Sequence, residues 1–254
     1  MKTIRAIRWI PVLFVILGLL LGCSDSTDGT GLDDSSDIIS WFTADINNDG
    51  KEELLLITRN STDAGMTLDT GEQYGRYIEI HSQYSIRNNT AVPQGEPEHR
   101  FDLSEIKPLY IQAGDIDGDG TAEIAVCVYK TAEFHPVPAK RPFFYDLQEG
   151  QLEPVWLGSR LARPFADYIL YDADQDDIAE IISIEYTESG NKVLTIYDWK
   201  GFGFEVKAQT DEIEDTVTFL NNANNRSDVV LVEIGGDSYQ LYLEEGEVIK
   251  WIKE

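Results

Sequence analysis

Along residues 38–252 the apolar and polar positions form short runs that alternate with a period of two. Tyr77–His81 (YIEIH) shows this alternation clearly, and β-branched and aromatic residues dominate the other runs. Both features are typical of half-buried β-strands. No convincing amphipathic helix follows the apolar N-terminal segment. The pattern therefore predicts an all-β domain built from short strands.

One acidic motif recurs between these runs. It reads DINNDGKEE at Asp45–Glu53, DIDGDGTAE at Asp115–Glu123 and DADQDDIAE at Asp172–Glu180, and an apolar run follows each copy. A decayed fourth copy at Leu220–Val232 keeps Asn222, Asn224 and Asp228 at positions 3, 5 and 9. Self-similarity on this scale is the sequence signature of a repeat fold.

Each repeat predicts four strands. One strand precedes the acidic loop, at Ile38–Thr43, Pro108–Ala113, Ala166–Leu170 and Asp215–Phe219. One strand follows the loop, and two more form a hairpin that turns at Gly150, Gly201 or Gly246, where a positive φ is needed. The hairpin of the first repeat matches less well. Four such units predict a small β-propeller of about four four-stranded antiparallel blades, with an open stack of sheets or a ring completed by a second chain as alternatives.

The motif offers oxygen ligands for a hard cation. Positions 1, 3 and 5 carry carboxylates or amides, and position 7 offers a backbone carbonyl, as in the first half of an EF-hand loop. An EF-hand needs a glutamate at position 12, where this chain has Leu56, Val126 or Ser183. The carboxylate lies at position 9 instead, and a strand follows. Oxygen donors without His or Cys favour calcium over zinc or copper.

This arrangement resembles the calcium loops of FG-GAP repeats, the blades of integrin alpha-subunit propellers, and of bacterial proteins with related VCBS-type repeats. The resemblance covers about residues 38–252 and implies about three structural calcium sites. The implied side-chain ligands are Asp45, Asn47, Asp49 and Glu53; Asp115, Asp117, Asp119 and Glu123; and Asp172, Asp174, Asp176 and Glu180. The implied carbonyl ligands are those of Lys51, Thr121 and Ile178.

Position 6 of each loop needs a left-handed backbone, which Gly50 and Gly120 adopt without steric cost. Asp177 replaces glycine in the third loop, so the third site is expected to bind calcium more weakly. The fourth loop has Leu220 at position 1 and only one carboxylate, and we expect no metal there.

The N-terminus indicates targeting. Residues 1–22 have three basic residues followed by an apolar run too short for a typical membrane span, which predicts a signal peptide. The run ends in Leu-Leu-Gly-Cys, which resembles a bacterial lipobox and implies lipidation of Cys23. Residues 23–37 then form a flexible tether, and residues 38–254 form the propeller domain. Ser24 implies outer-membrane sorting in a Gram-negative cell.

The net charge and the scarcity of catalytic motifs limit the classes of function that this chain could have. A formal net charge of −26 argues against nucleic acid and against contact with an anionic membrane except through the lipid anchor. The three histidines lie in different segments and no nucleophile motif is present. We therefore expect a non-enzymatic binding or scaffolding module for a protein or glycan at the cell envelope. A polysaccharide-acting enzyme and a subunit of an envelope assembly complex are the alternatives.

Two inserts are candidates for contact with a partner. They are Ile86–Arg100, which is long and polar, and Thr131–Pro142, which concentrates an aromatic residue, prolines and basic residues. Functional loops often have such a composition, although a connection that only covers a blade edge has it too.

Overall fold

The computed structural model describes residues 37–63, 65–158, 160–220, 229–244 and 248–253. Cys23 and residues 24–36 of the predicted tether, Asn222, Asn224 and Asp228 of the fourth loop, and Gly246 lie outside the described residues. Asp37, the last residue of the predicted tether, is instead the first residue of a strand. In the described ranges the chain forms 18 strands and two 3₁₀ turns, Ser61–Asp63 and Ser104–Ile106. The all-β prediction is confirmed. A search of these same ranges finds no helix with the length and apolarity that a membrane span requires.

Sixteen of the strands form four antiparallel sheets of four strands each, arranged as the blades of a four-bladed β-propeller, as predicted. Blade 1 contains β1 (Asp37–Ala44), β2 (Glu53–Arg59), β3 (Tyr77–His81) and β6 (His99–Asp102), while β4 (Tyr84–Arg87) and β5 (Thr90–Pro93) form a separate hairpin. Blade 2 contains β7 (Pro108–Gly114), β8 (Glu123–Ala132), β9 (His135–Gln148) and β10 (Gln151–Leu157). Blade 3 contains β11 (Phe165–Tyr171), β12 (Glu180–Tyr186), β13 (Lys192–Trp199) and β14 (Phe204–Gln209). Blade 4 contains β15 (Val217–Phe219), β16 (Val230–Ile234), β17 (Asp237–Glu244) and β18 (Val248–Lys253).

The first strands of the blades lie where the sequence predicts them. β1, β7 and β11 each extend beyond the predicted range by at least one residue, whereas β15 begins only at Val217 because Asp215 lies in a bend. The predicted hairpin turns at Gly150 and Gly201 are also present, with φ of 78° and 80°. A side chain at these positions would be strained, which explains the glycines.

The second strand of a blade packs on both of its faces. In β8, Ile124 and Val126 point into a core shared with blade 1, whereas Ala125 and Cys127 point into a core shared with blade 3. All four are completely buried. Side chains alternate across a strand, so a continuous apolar run supplies two interfaces at once.

Three hydrophobic cores join successive blades in this way. The first lies between blades 1 and 2, the second between blades 2 and 3, and the third between blades 3 and 4. The second core is rich in aromatic rings, with Phe144 and Phe204 5.0 Å apart between centroids. Trp156 and Trp199 also pack there.

The β4–β5 hairpin covers the face of blade 1 that points away from blade 2. Trp41, Leu54 and Leu56 on that face form a small cluster with Ala91 and Tyr84 of the hairpin. This hairpin occupies much of the polar insert Ile86–Arg100, and it interrupts the connection between β3 and β6. The interruption explains why the first repeat lacks a simple hairpin pattern.

Candidate metal centres

Loop 1 (residues 45–53), loop 2 (115–123) and loop 3 (172–180) connect the first and second strands of blades 1, 2 and 3. All three have a left-handed residue at position 6, with φ of 83° at Gly50, 88° at Gly120 and 69° at Asp177. The left-handed backbone predicted at position 6 is therefore confirmed in all three loops, including loop 3, where Asp177 replaces the glycine. The fourth loop is not comparable, because only Leu220 of it belongs to the described residues.

The aspartate at position 1 shapes each loop through the backbone. The two carboxylate oxygens of Asp115 accept the N–H groups of Gly118 and Gly120 at 2.7 and 2.8 Å. Asp45 accepts from Asp49 and Gly50, and Asp172 accepts from Gln175, Asp176 and Asp177, at 2.7–3.1 Å. These bonds satisfy loop donors that would otherwise lack partners.

Position 5 repeats this device at the end of the loop. The carboxylates of Asp49, Asp119 and Asp176 accept the N–H groups of Lys51, Thr121 and Ile178 at 2.7–2.9 Å. The residues at position 7 are therefore held through their N–H groups in the same way in all three loops, and their carbonyls stay predicted ligands.

The glutamate at position 9 is buried in every loop. Glu53, Glu123 and Glu180 are 4%, 2% and 3% exposed. Each accepts the N–H of the residue at position 2, namely Ile46, Ile116 or Ala173, at 3.2, 2.8 and 2.7 Å. The glutamate thus joins the start of the loop to the start of the second strand. Because burial disfavours a charged carboxylate, each of these glutamates needs a nearby positive charge or a proton.

Loop 2 has the most concentrated negative charge. One carboxylate oxygen from each of Asp115, Asp117, Asp119 and Glu123 lies within 4.8 Å of the others. Burial, followed by the charges of Asp117 and Asp146, raises the pKa of Glu123 to about 8, although the Ile116 N–H opposes the shift. Burial also raises the pKa of Asp117, and Asp119 and Asp115 add to it. Four such oxygen donors fit a calcium ion.

Loop 1 has one fewer charge. Asn47 replaces the aspartate at position 3, and its side-chain N–H donates to Glu53 Oε1 at 3.2 Å. Burial still raises the pKa of Glu53, and the charges of Asp49 and Asp45 raise it further. The donor set of loop 1 therefore has a lower charge than that of loop 2, and among the described residues its carboxylates do not form a group with oxygens within 4.8 Å of one another, as those of loops 2 and 3 do.

Loop 3 differs because a lysine reaches its carboxylates. Lys207 Nζ lies 2.6 Å from Asp174 Oδ2, 2.6 Å from Glu180 Oε1 and 3.1 Å from Asp198 Oδ1. Burial opposes the charge of Lys207, but its contacts with these three carboxylates prevail and raise its pKa. Oxygens of Asp172, Asp174 and Asp176 still lie within 4.8 Å of one another.

A cleft of about 540 Å³ lies between loops 2 and 3. Asp117 lines it from blade 2, and Asp176, Glu180, Trp199 and Lys207 line it from blade 3. Its carboxylates include those of Asp117 from loop 2 and of Asp176 and Glu180 from loop 3. The sequence did not indicate this cleft, because its walls come from segments that are far apart in the chain.

Cys127 lies away from the loops. It is fully buried in the core between blades 2 and 3, and burial raises the pKa of its thiol to about 12. It therefore packs as a small apolar side chain.

No protein-family model matches the chain, and no curated protein matches it at a significant level.

We expect position 6 to respond differently to substitution in loops 2 and 3. Gly120→Ala should lower the free energy of unfolding by about 1–2 kcal/mol, because an added Cβ meets no neighbour yet strains the left-handed backbone. Asp177→Gly should change it by less than about 1 kcal/mol, because relief of strain offsets the added entropy of the unfolded chain. Chemical denaturation measures both values. Equal losses in the two variants would contradict this assignment of strain.

Proposed function

We propose that the chain is a calcium-stabilised propeller of the FG-GAP type, anchored at the bacterial cell envelope by a lipid on Cys23. In this proposal it is a non-enzymatic module that binds or scaffolds a protein or glycan. The observation that carries the proposal is loop 2, where four carboxylates converge with oxygen atoms within 4.8 Å.

Electrostatics supports calcium at loops 1 and 2. Carboxylates within 4.8 Å, as in loop 2, repel one another strongly in a partly buried site. In both loops burial and neighbouring carboxylates raise the pKa of the position-9 glutamate, Glu53 or Glu123. A divalent cation removes the repulsion, and only oxygen donors are offered to it. When bound, it would hold the loop and the second strand together.

The β8–β9 hairpin supports a binding role. Phe134 and Val137 near its turn are 82% and 70% exposed. Arg141, which is only 1% exposed, donates to the carbonyls of Lys130, His135 and Val137 at 2.9, 3.1 and 3.2 Å. These bonds fix the backbone beside the apolar tip, so that less backbone ordering is required when the tip binds.

The basic character expected of this hairpin is not present at its surface. The guanidinium of Arg141 is enclosed by backbone carbonyls, and Lys140 forms an ion pair with Glu72 at 2.6 Å. Pro136 and Pro138 also lack the N–H that an added strand would need. A partner would therefore contact the apolar side chains, and this favours a protein partner over a glycan.

We expect calcium to raise the thermal stability of the full chain in detergent. With dissociation constants of about 0.1–1 mM, as in extracellular modules, roughly 10 mM calcium contributes about 1.4–2.7 kcal/mol per site. Thermal unfolding with chelator and after calcium is added back measures the shift. Magnesium should have a smaller effect, and Asp117→Asn with Asp119→Asn should remove the contribution of loop 2. Identical unfolding curves with and without chelator would sink the calcium proposal.

We expect Cys23→Ser to release the protein from membranes, because the lipid attached to that sulfur is the proposed anchor. Fractionation of cells that express each variant measures the release, and Ser24→Ala is the control that should stay with the membranes. If Cys23→Ser has the same membrane-bound fraction as the wild type, the lipid anchor is contradicted, and an uncleaved apolar segment holds the protein at the membrane instead.

The hairpin tip can be tested separately. Phe134→Ser with Val137→Ser should abolish capture of the envelope partner from detergent extracts, because it removes the apolar contact. Phe202→Ser is the matched control, since Phe202 is 80% exposed at the turn of another hairpin. Loss of the same captured protein in both variants, or in neither, would count against the β8–β9 tip.

A further inference from the structure

Lys207 occupies a special position in the register of blade 3. Tyr197 pairs with Val206 and Ile196 pairs with Ala208, so Lys207 is the extra residue of a β-bulge. The extra residue of a bulge has no partner in the ladder, and bulges often redirect a side chain. Here the side chain reaches the carboxylates of loop 3.

Val155 occupies the equivalent position in blade 2. Tyr145 pairs with Pro154 and Phe144 pairs with Trp156, so Val155 is the extra residue of the corresponding bulge. The pairing of the second and third strands agrees as well. Tyr145 pairs with Ile124 in blade 2, and Tyr197 pairs with Ile181 in blade 3. Both isoleucines directly follow the position-9 glutamate of their loop. At this equivalent position blade 2 therefore has a valine and blade 3 has a lysine.

The surrounding carboxylates are the same in both blades. Asp117, Glu123 and Asp146 interact in blade 2, and their counterparts in blade 3 are Asp174, Glu180 and Asp198. Blade 2 has an apolar residue at the bulge, whereas the ammonium of Lys207 contacts all three carboxylates of blade 3 at 2.6–3.1 Å. Its side chain is only 15% exposed. The contacts to Asp174 and Glu180 are hydrogen bonds, and the contact to Asp198 Oδ1 is an ion pair.

We infer that Lys207 is the resident cation of loop 3 and replaces calcium there, so that blade 3 is held without the metal. The inference deepens the proposed function and rests on it for loops 1 and 2. The donor set of loop 3 does not fit a calcium ion while Lys207 is in place, because Glu180 and Asp174 already bind a positive charge. Repulsion between the ammonium and a divalent cation at the same carboxylates opposes binding further.

An exchange of the two bulge residues tests the inference. The full chain in detergent is dialysed to equilibrium against calcium, and the bound ions per chain are measured. The wild type should bind two ions, Lys207→Val three, Val155→Lys one, and the double exchange two. The affinity of loop 3 for calcium should rise at least about tenfold in Lys207→Val. Lys207→Gln should also gain an ion, since it removes the charge and keeps a polar side chain.

The outcomes separate the inference from the proposed function. Three ions in the wild type, or two in Lys207→Val and Lys207→Gln, would overturn the role of Lys207. If the wild type binds no ion and Lys207→Val binds one, the proposed calcium sites in loops 1 and 2 are wrong, but the role inferred for Lys207 is supported. Should neither Lys207 variant fold, the result for Val155→Lys decides, because an unchanged count in that variant would refute the substitution of calcium by lysine.

Discussion

A buried carboxylate at the start of the second strand is the constraint on which each of the first three blades depends. Glu53, Glu123 and Glu180 close their loops by accepting the N–H at position 2, and this bond places them where water cannot solvate the charge. Burial without compensation is costly. The hydrogen bond that shapes the loop therefore also creates the need for a positive charge or a proton at the glutamate.

The chain supports two ways of meeting that need. Loop 2 has four converging carboxylates, and loop 1 has three carboxylates and the Asn47 amide, which in the proposed function receive a cation from the surroundings. Loop 3 receives an ammonium group from its own outer strand. A lysine delivered by a β-bulge is permanent and specific to one blade, whereas an ion from solution depends on its concentration. One fold thus accommodates both solutions with a change at a single position.

The sequence predicted most of the fold because the recurring motif marks the same place in each blade. The strands before and after loops 1–3 follow from that mark, as do the hairpins at Gly150 and Gly201. The role of Lys207 could not be predicted, since it lies 27 residues beyond Glu180 and depends on a bulge that only the register reveals. The burial of Arg141 was missed for a similar reason, because its carbonyl partners become neighbours only when the hairpin closes.

The two-faced packing of β8 has a consequence for how such a chain tolerates insertions. A slip of one residue in that strand would exchange Ile124 and Val126 with Ala125 and Cys127, and it would mismatch both adjoining cores at once. An insertion or deletion inside the packed part of such a strand is therefore disfavoured, whereas the strand ends and the connections tolerate changes of length. This explains why the acidic motifs are unevenly spaced along the chain while the strands beside them keep their pattern. The repeats can differ in length because the second strand of each blade, which packs on both faces, keeps their structures alike.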